Sequence, residues 1–159
     1  MASSPLVRRL ILISGVRPPV LDEFGVVTAV QGLIEDTQTR GGPHIDFRHS
    51  IESQRLEPVL ENTIFRIIQE GLANACRHSR GQHVWVELTE TAEHVELRVQ
   101  DDGQGFDPEK TDPMRYGLAG IRERTRLLGG RLTLQTEVGN GTLLAVQLPK
   151  DVGDLADSA

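Results

Sequence analysis

Apolar side chains recur at the spacing of one helix face in four stretches of the chain. The first, residues 6–13, is short and is typical of the end of a helix. The other three predict helices over about 22–40, 58–78 and 118–128. The helix over 58–78 has the most regular pattern, and it begins with a proline, whose missing N–H is unimportant in the first turn of a helix.

Strict alternation of apolar and polar residues predicts the strands. Residues 84–88 and 95–99 alternate throughout, and residues 131–137 and 142–148 are joined by Val-Gly-Asn-Gly, a hairpin turn sequence. A brief alternation at 45–47 indicates a short edge strand. The predicted fold is α+β, a two-layer α/β sandwich in which helices cover one face of a mixed, mainly antiparallel sheet.

Length and charge narrow the class of protein. The 159 residues are enough for one domain. A net charge of −6 disfavours nucleic acid and anionic membranes as partners. The single cysteine, Cys76, excludes a disulfide framework and a cysteine-based zinc site. Since the apolar stretch near the start is too short to span a bilayer, we expect a cytoplasmic domain with no membrane contact.

Polar side chains lie on the strongest predicted helix. Glu70 and Asn74 are four residues apart and therefore share one helix face, which Arg77 and His78 continue. A carboxylate beside a neutral amide can bind Mg²⁺ or orient a water molecule, because Mg²⁺ prefers a few hard oxygen ligands. The alternative is an ordinary solvated helix face.

An aperiodic loop at 101–116 follows a predicted strand and begins Asp-Asp-Gly-Gln-Gly. Asp101 can accept a hydrogen bond from a ligand's amino group, while Gly103 and Gly105 let the backbone approach that ligand closely. Loops of this length are usually functional. The alternative is a plain turn, in which Asp-Gly pairs are common.

Two further glycine-rich segments stand near predicted element ends. Gly117 and Gly120 open the helix at 118–128, where unpaired N–H groups can bind phosphate. The segment 139–142, which contains Gly141 and Thr142, predicts a hairpin turn, and its hydroxyl could also contact a ligand at the sheet surface. Each segment alone is also compatible with a purely structural role.

Taken in order, these four segments resemble the N, G1, G2 and G3 boxes of the GHKL ATP-binding fold, which histidine kinases share with gyrase-type topoisomerases, the heat-shock chaperone and mismatch-repair ATPases. Residues 65–79, 101–107 and 117–130 are similar in detail to sensor histidine kinases of the nitrate-sensor and lipid-desaturase-sensor type. Residues 17–25 resemble the segment that joins that family's dimerising helices to its ATPase domain. The resemblance spans about residues 6–149.

The resemblance implies a role for each polar residue of the helix. Asn74 would hold Mg²⁺ against the ATP phosphates. Glu70 matches the acidic residue proposed as the general base or as the group that orients the attacking atom. Arg77 and His78 would contact phosphates. Such a division fits phosphoryl transfer, which needs positioning and charge neutralisation more than covalent chemistry.

The remaining boxes imply the nucleotide contacts. Asp101 would accept a hydrogen bond from the adenine amino group, and Thr142, beside Gly141, would support it through water. The glycines would permit close backbone approach or hinge the lid: Gly103, Gly105, Gly117 and Gly120. One departure is Tyr116, which stands where this branch usually has a first lid glycine and is expected to stiffen the lid. Adenine recognition is expected to depend on Asp101 rather than on a stacking aromatic ring.

The implied organisation is a residual linker or end of a dimerisation helix over 1–21, an ATP-binding catalytic domain over 22–149 and a disordered acidic tail over 150–159. No histidine matches the family's phosphoacceptor pattern. The expected activity is transfer of the γ-phosphoryl group of Mg·ATP to a histidine on a dimerisation domain, in cis or in trans, with a response regulator as an indirect partner. Two alternatives are a serine kinase like the anti-sigma-factor kinases and a degenerate, non-catalytic adaptor.

Overall fold

A computed structural model describes residues 18–112 and 115–152. The helix end predicted at 6–13, most of the linker predicted at 1–21 and most of the acidic tail predicted at 150–159 lie outside these described residues.

Within the described residues, four α-helices and one π-helical turn form the helical layer. They are α1 (Pro19–Phe24), α2 (Val26–Thr39), α3 (Pro58–Asn74), the π-helical turn Ala75–Ser79 and α4 (Leu118–Leu127). None of these described helices combines the length and apolar character that a bilayer crossing needs.

Two helix predictions need correction. The single helix predicted over 22–40 is α1 and α2, separated by Gly25, whose φ of 87° is incompatible with a continuous helix. The α-helix predicted to reach His78 ends at Asn74 and continues as the wider π-helical turn. Apolar periodicity over five residues cannot distinguish these two windings, and π-helical turns are frequent at functional sites.

In the part of the chain that the structure describes, five strands form one sheet in the order β1-β2-β3-β5-β4. The strands are β1 (His44–Ser50), β2 (His83–Glu90), β3 (His94–Asp101), β4 (Arg131–Thr136) and β5 (Thr142–Pro149). The β1–β2 pair is parallel, and the other three pairs are antiparallel. The mixed, mainly antiparallel sheet is therefore confirmed, and its edge strand is longer than the three residues predicted.

The sheet has one covered and one exposed face. In β2, Val84, Val86 and Leu88 are buried, whereas Trp85 and Glu87 between them are exposed. The helices cover the first face, and the apolar side of α3 is fully buried against it, as the helical periodicity predicted. Burying a large aliphatic side chain stabilises the fold by about 1.5–3 kcal/mol. The helix that carries the polar residues is thus held rigidly on the sheet.

An ion pair fixes α1 to α3. The Glu61 carboxylate, whose residue is 1% exposed, accepts hydrogen bonds from Arg55 Nε at 3.2 Å and Nη2 at 2.9 Å. The same guanidinium donates to the carbonyl oxygens of Asp22 at 3.0 Å and Leu21 at 3.3 Å. One arginine therefore connects α1 to the helix that carries the candidate site.

Candidate functional site

A pocket lies between α3 and the ends of β3 and β5, and it contains about 480 Å³ of space, partly open to solvent. Five of the residues predicted from the sequence line it: Asn74, His78, Asp101, Gly105 and Thr142. The fold therefore brings predicted residues from three separate segments of the chain to one place.

Asn74 connects α3 to the loop that enters α4. Its side-chain nitrogen donates a hydrogen bond to the carbonyl oxygen of Tyr116 at 2.6 Å. Because the nitrogen is used in this bond, the amide oxygen is the atom that Asn74 can offer to a cation. The bond also holds residue 116 against the pocket.

Asp101 is the buried acid of the pocket, with 8% of its surface exposed. Its Oδ1 accepts the backbone N–H of Gly103 at 2.9 Å, and the backbone N–H of Thr142 also donates to the carboxylate. Burial raises the pKa of the Asp101 carboxyl above its usual value, while these two hydrogen bonds act in the opposite direction. The carboxylate is therefore fixed in place and poorly solvated, which favours recognition of a ligand donor.

The hairpin between β4 and β5 is pressed against Asp101. A Cβ on Gly141, whose φ is 72°, would lie 2.3 Å from the Asp101 carbonyl oxygen, so only glycine fits there. The hydroxyl groups of Thr142 and Thr136 are 2.9 Å apart, and Thr136 Oγ1 accepts the backbone N–H of Phe106 at 3.0 Å. Sequence reasoning missed Thr136, which joins the hairpin to the loop.

Two aromatic rings form a wall of the pocket, a role that the sequence did not indicate for either residue. Phe106 and Tyr116 are stacked, with ring centroids 4.2 Å apart and an interplanar angle of 18°. The His78 ring meets Tyr116 edge-on at 4.6 Å. Such pairs contribute about 0.5–1.5 kcal/mol beyond the burial of their surface. Their positions, directly after the G1 box and at the missing lid glycine, were the available signal.

Glu70 is exposed and is not among the residues that line the pocket; it lies against the start of α4. A Cβ on Gly117, whose φ is 64°, would lie 2.6 Å from Glu70 Oε2, so the carboxylate packs directly on this glycine. No side chain among the described residues caps α4, which leaves its first N–H groups available. Gly120 is exposed in the first turn of α4, with open space around its Cα.

The two basic residues after Asn74 point in different directions. His78 lines the pocket, where burial and then the charges of Arg115 and Arg77 lower the pKa of its imidazole. Arg77 is exposed and lines a separate groove between α2 and α3, together with Arg40. In this structure only His78 of the pair faces the pocket.

The fold and the pocket define the class of protein as an ATPase domain of the histidine-kinase type. Residues 60–152 match the sequence profile of the histidine kinase-, DNA gyrase B- and HSP90-like ATPases. Because the match covers more than half of the chain, this protein belongs to that family.

Bacterial histidine kinases are among the curated proteins to which the chain is similar. The chain is 32% identical over 139 residues to the signal transduction histidine-protein kinase/phosphatase DegS of Bacillus subtilis strain 168, covering 84% of this chain and 36% of DegS. It is 38% identical over 127 residues to the sensor histidine kinase ComP of the same organism, covering 79% of this chain and 16% of ComP. The chain thus spans less than two-fifths of either relative.

Solved structures confirm the fold. The histidine kinase domain of the Erythrobacter litoralis EL346 blue-light activated histidine kinase superposes with a TM-score of 0.69 at 19% identity, covering 98% of this chain and 80% of that domain. The solved chain of the Acinetobacter baumannii histidine kinase AdeS gives a TM-score of 0.64 at 15% identity, covering 92% of this chain and 77% of that solved chain.

Proposed function

We propose that this chain binds Mg·ATP in the pocket and transfers the γ-phosphoryl group to a histidine on a dimerisation domain, as the catalytic part of a two-component sensor histidine kinase. The observation that carries the proposal is the arrangement at the entrance to α4. Asn74 donates to the Tyr116 carbonyl, and the Glu70 carboxylate packs on Gly117. One face of α3 therefore presents an acid and a hard oxygen ligand beside an uncapped helix N-terminus.

The adenine end of the nucleotide fits the buried side of the pocket. Asp101 presents a fixed carboxylate acceptor, which matches an exocyclic amino group. The stacked rings of Phe106 and Tyr116 give the pocket an apolar wall against which a purine can pack. Thr142 places a hydroxyl group in the same wall, where it can support Asp101 directly or through water.

The phosphate end fits the solvent side. The uncapped N–H groups of α4 and the positive end of its dipole favour phosphate oxygens. Asn74 Oδ1 is the ligand that this chain offers to Mg²⁺, which when bound neutralises and orients the phosphates. Gly117 and Gly120 keep this helix start free of side chains that would exclude them.

Glu70 is placed to act on the incoming histidine. The imidazole nitrogen attacks the γ-phosphorus, a P–N bond forms, and the bond to the β–γ bridging oxygen breaks and leaves ADP. The attacking nitrogen is the one that carries no proton, and the Glu70 carboxylate accepts the proton of the other ring nitrogen, so that the phosphorylated imidazole is left neutral. Glu70 is exposed, so a partner domain can reach it. General base catalysis of this kind contributes about 10²–10⁴-fold.

The finer assignment rests on the G1, N and G2 segments, whose detailed sequence supports a kinase of the nitrate-sensor and desaturase-sensor type. Such a kinase acts in the cytoplasm, where ATP is available, and passes the phosphoryl group from the histidine to a response regulator. The exposed groove that Arg77 lines gives this chain a separate surface beside the nucleotide pocket.

The proposal is tested in two steps. Isothermal titration calorimetry of the chain with Mg·ATP should give saturable binding. The chain is then mixed with a separately produced dimerisation domain that bears an acceptor histidine, from a histidine kinase of similar sequence, together with γ-labelled ATP. We expect acid-labile, alkali-stable label on that domain, as phosphohistidine requires.

Two variants separate catalysis from binding. Glu70→Gln should reduce phosphoryl transfer by about 10²–10⁴-fold with little change in nucleotide affinity, whereas Asn74→Ala should lose Mg²⁺-dependent affinity. Glu35→Gln, which changes an exposed carboxylate on α2, is the matched control and should transfer normally. Acid-stable label on serine or threonine would replace the proposal with a serine kinase, and absence of ATP binding would indicate an adaptor.

A further inference from the structure

Three side chains that can ligate a metal meet on the exposed face of the sheet, away from the nucleotide pocket. His44 and Asp46 are two residues apart on β1 and therefore point to the same face. His83 begins β2 and lies directly beside His44 in the parallel register. The intervening residue Ile45 and its partner Val84 are buried on the opposite, helix-covered face.

The donor atoms of these three residues converge. Asp46 Oδ2 lies 2.6 Å from Nε2 of His83, and Asp46 Oδ1 lies 3.7 Å from Nε2 of His44. One ligand atom from each residue can be chosen so that all lie within 4.8 Å of one another. Around a tetrahedral zinc ion with bonds of about 2.0–2.2 Å, ligand atoms are about 3.3 Å apart.

Only a small adjustment of side chains separates the observed cluster from the ligand arrangement around a tetrahedral zinc ion. The side chains of His44 and Asp46 are 64% and 50% exposed, so rotation about their χ angles meets little resistance. Bringing ligand atoms that lie within 4.8 Å of one another to a separation of about 3.3 Å is a change that side-chain rotation can supply, because the strand register already places the residues side by side.

His83 is the best-fixed member of the cluster. Its ring stacks on Trp85 with centroids 4.4 Å apart and an interplanar angle of 19°. Its backbone N–H donates to the Asp102 carboxylate at 3.0 Å. The His44 ring meets it edge-on at 4.7 Å. A ligand held on both its backbone and its ring loses little freedom when it binds an ion.

We propose that His44, Asp46 and His83 form a binding site for a divalent transition-metal ion, zinc first among them. Two imidazole nitrogens and one carboxylate oxygen suit zinc, nickel and copper, whereas magnesium and calcium prefer all-oxygen sites. The ion would join the edge strand β1 to β2, with water completing its coordination. The site lies on the opposite face of the sheet from the proposed ATP pocket and does not depend on it.

The position of Trp85 provides a direct assay. It is the single tryptophan of the chain and its ring lies against His83. Copper or nickel ions bound at His83 should quench its fluorescence with saturation at one equivalent, and zinc should compete and restore the signal. Calorimetry of the tag-free chain with zinc chloride should give one site. The melting temperature should rise with zinc concentration, because the ion binds the folded chain.

Variants identify the ligands. His44→Ala, Asp46→Asn and His83→Ala should each weaken zinc binding at least as much as the roughly 10–100-fold that loss of an outer-sphere partner costs. His49→Ala, on the same strand but on the other face, should bind zinc like the parent chain. Circular dichroism melts without metal establish that each variant is folded, and the exposed His44→Ala carries the test if His83→Ala is not.

Magnesium and calcium at millimolar concentration should neither quench Trp85 nor compete with zinc. Quenching that rises linearly without saturation overturns the proposal. Unchanged zinc affinity in His44→Ala and Asp46→Asn also overturns the proposal, because the cluster would then be only a histidine–aspartate ion pair.

Discussion

Replacing Asp101 with asparagine changes one acceptor of the pocket wall while keeping the shape of the side chain. In the parent chain the carboxylate accepts the Gly103 N–H at 2.9 Å and the Thr142 N–H. An asparagine amide has one acceptor and one donor end. Its nitrogen must therefore face either a backbone N–H or the adenine amino group, and in both cases one donor loses its partner.

The expected magnitude follows from that lost partner. A hydrogen bond from a ligand to a charged acceptor contributes about 1.5–3 kcal/mol, which corresponds to about 10- to 150-fold in the dissociation constant. Asp101 is only 8% exposed, so water cannot replace the missing acceptor without opening the pocket. We therefore expect Asp101→Asn to weaken ATP binding by that factor.

The assay compares two nucleotides in two proteins by isothermal titration calorimetry. Purine riboside triphosphate lacks the amino group at position 6 of adenine and is otherwise alike. The parent chain should prefer ATP over this analogue by about 10- to 150-fold, and Asp101→Asn should bind the two nearly equally. This double cycle isolates the contact between the carboxylate and the amino group from any general loss of affinity.

Asp102→Asn is the matched control. Its carboxylate is exposed and accepts the backbone N–H groups of Gln82 at 2.9 Å and His83 at 3.0 Å, so it does not take part in the pocket. It should keep the parent preference for ATP. The reasoning fails if the parent chain binds both nucleotides equally, or if Asp101→Asn keeps the full preference while remaining folded.

Two further predictions concern stability. Hydrogen bonds, above all from Lys150, lower the pKa of Glu90 from 4.5 to about 2. The stability that Glu90 contributes is therefore complete above its unfolded pKa and is lost as the pH falls through its folded pKa. In urea unfolding between about pH 5 and pH 2, Glu90→Gln should lose less stability than the parent chain, whereas the exposed control Glu87→Gln should lose as much as the parent chain. Gly141→Ala and Gly139→Ala both place alanine at positive φ, but only the first also meets backbone, at 2.3 Å. Urea unfolding should show Gly139→Ala costing about 1–2 kcal/mol and Gly141→Ala about 1–3 kcal/mol more, and equal losses would contradict the close approach.

Local patterns in the sequence predict much of the fold. The strict alternation of β2 and β3 and the glycine-rich turn before β5 predict strands that the structure contains, because period-2 burial and turn chemistry are local properties. The helix break at Gly25 and the π-helical turn Ala75–Ser79 were not predictable in this way. A positive φ at glycine and a wider helical winding leave no distinct pattern in so few residues.

The candidate site, like the fold, was predicted from the sequence only in part. Asn74, Asp101 and Thr142 were found because their types and spacing are chemically informative. The stacking of Phe106 on Tyr116 was not predicted because both residues lie in an aperiodic loop, where sequence does not indicate which way a ring points. The parallel pairing of β1 with β2, which brings His44 beside His83, joins segments far apart in the chain and likewise depends on the whole fold.

The end of β3 explains why two adjacent acids serve different sites. Successive residues of a strand point to opposite faces, so Asp101 turns into the buried pocket while Asp102 remains exposed and holds the backbone of His83. His83 in turn accepts the Asp102 backbone N–H at 3.3 Å, which fixes the start of β2 to the end of β3. Asp102→Asn should therefore weaken zinc binding while nucleotide preference is unchanged, and Asp101→Asn should do the reverse. A variant that altered both readouts together would mean that the two faces of the sheet are mechanically coupled at this strand end.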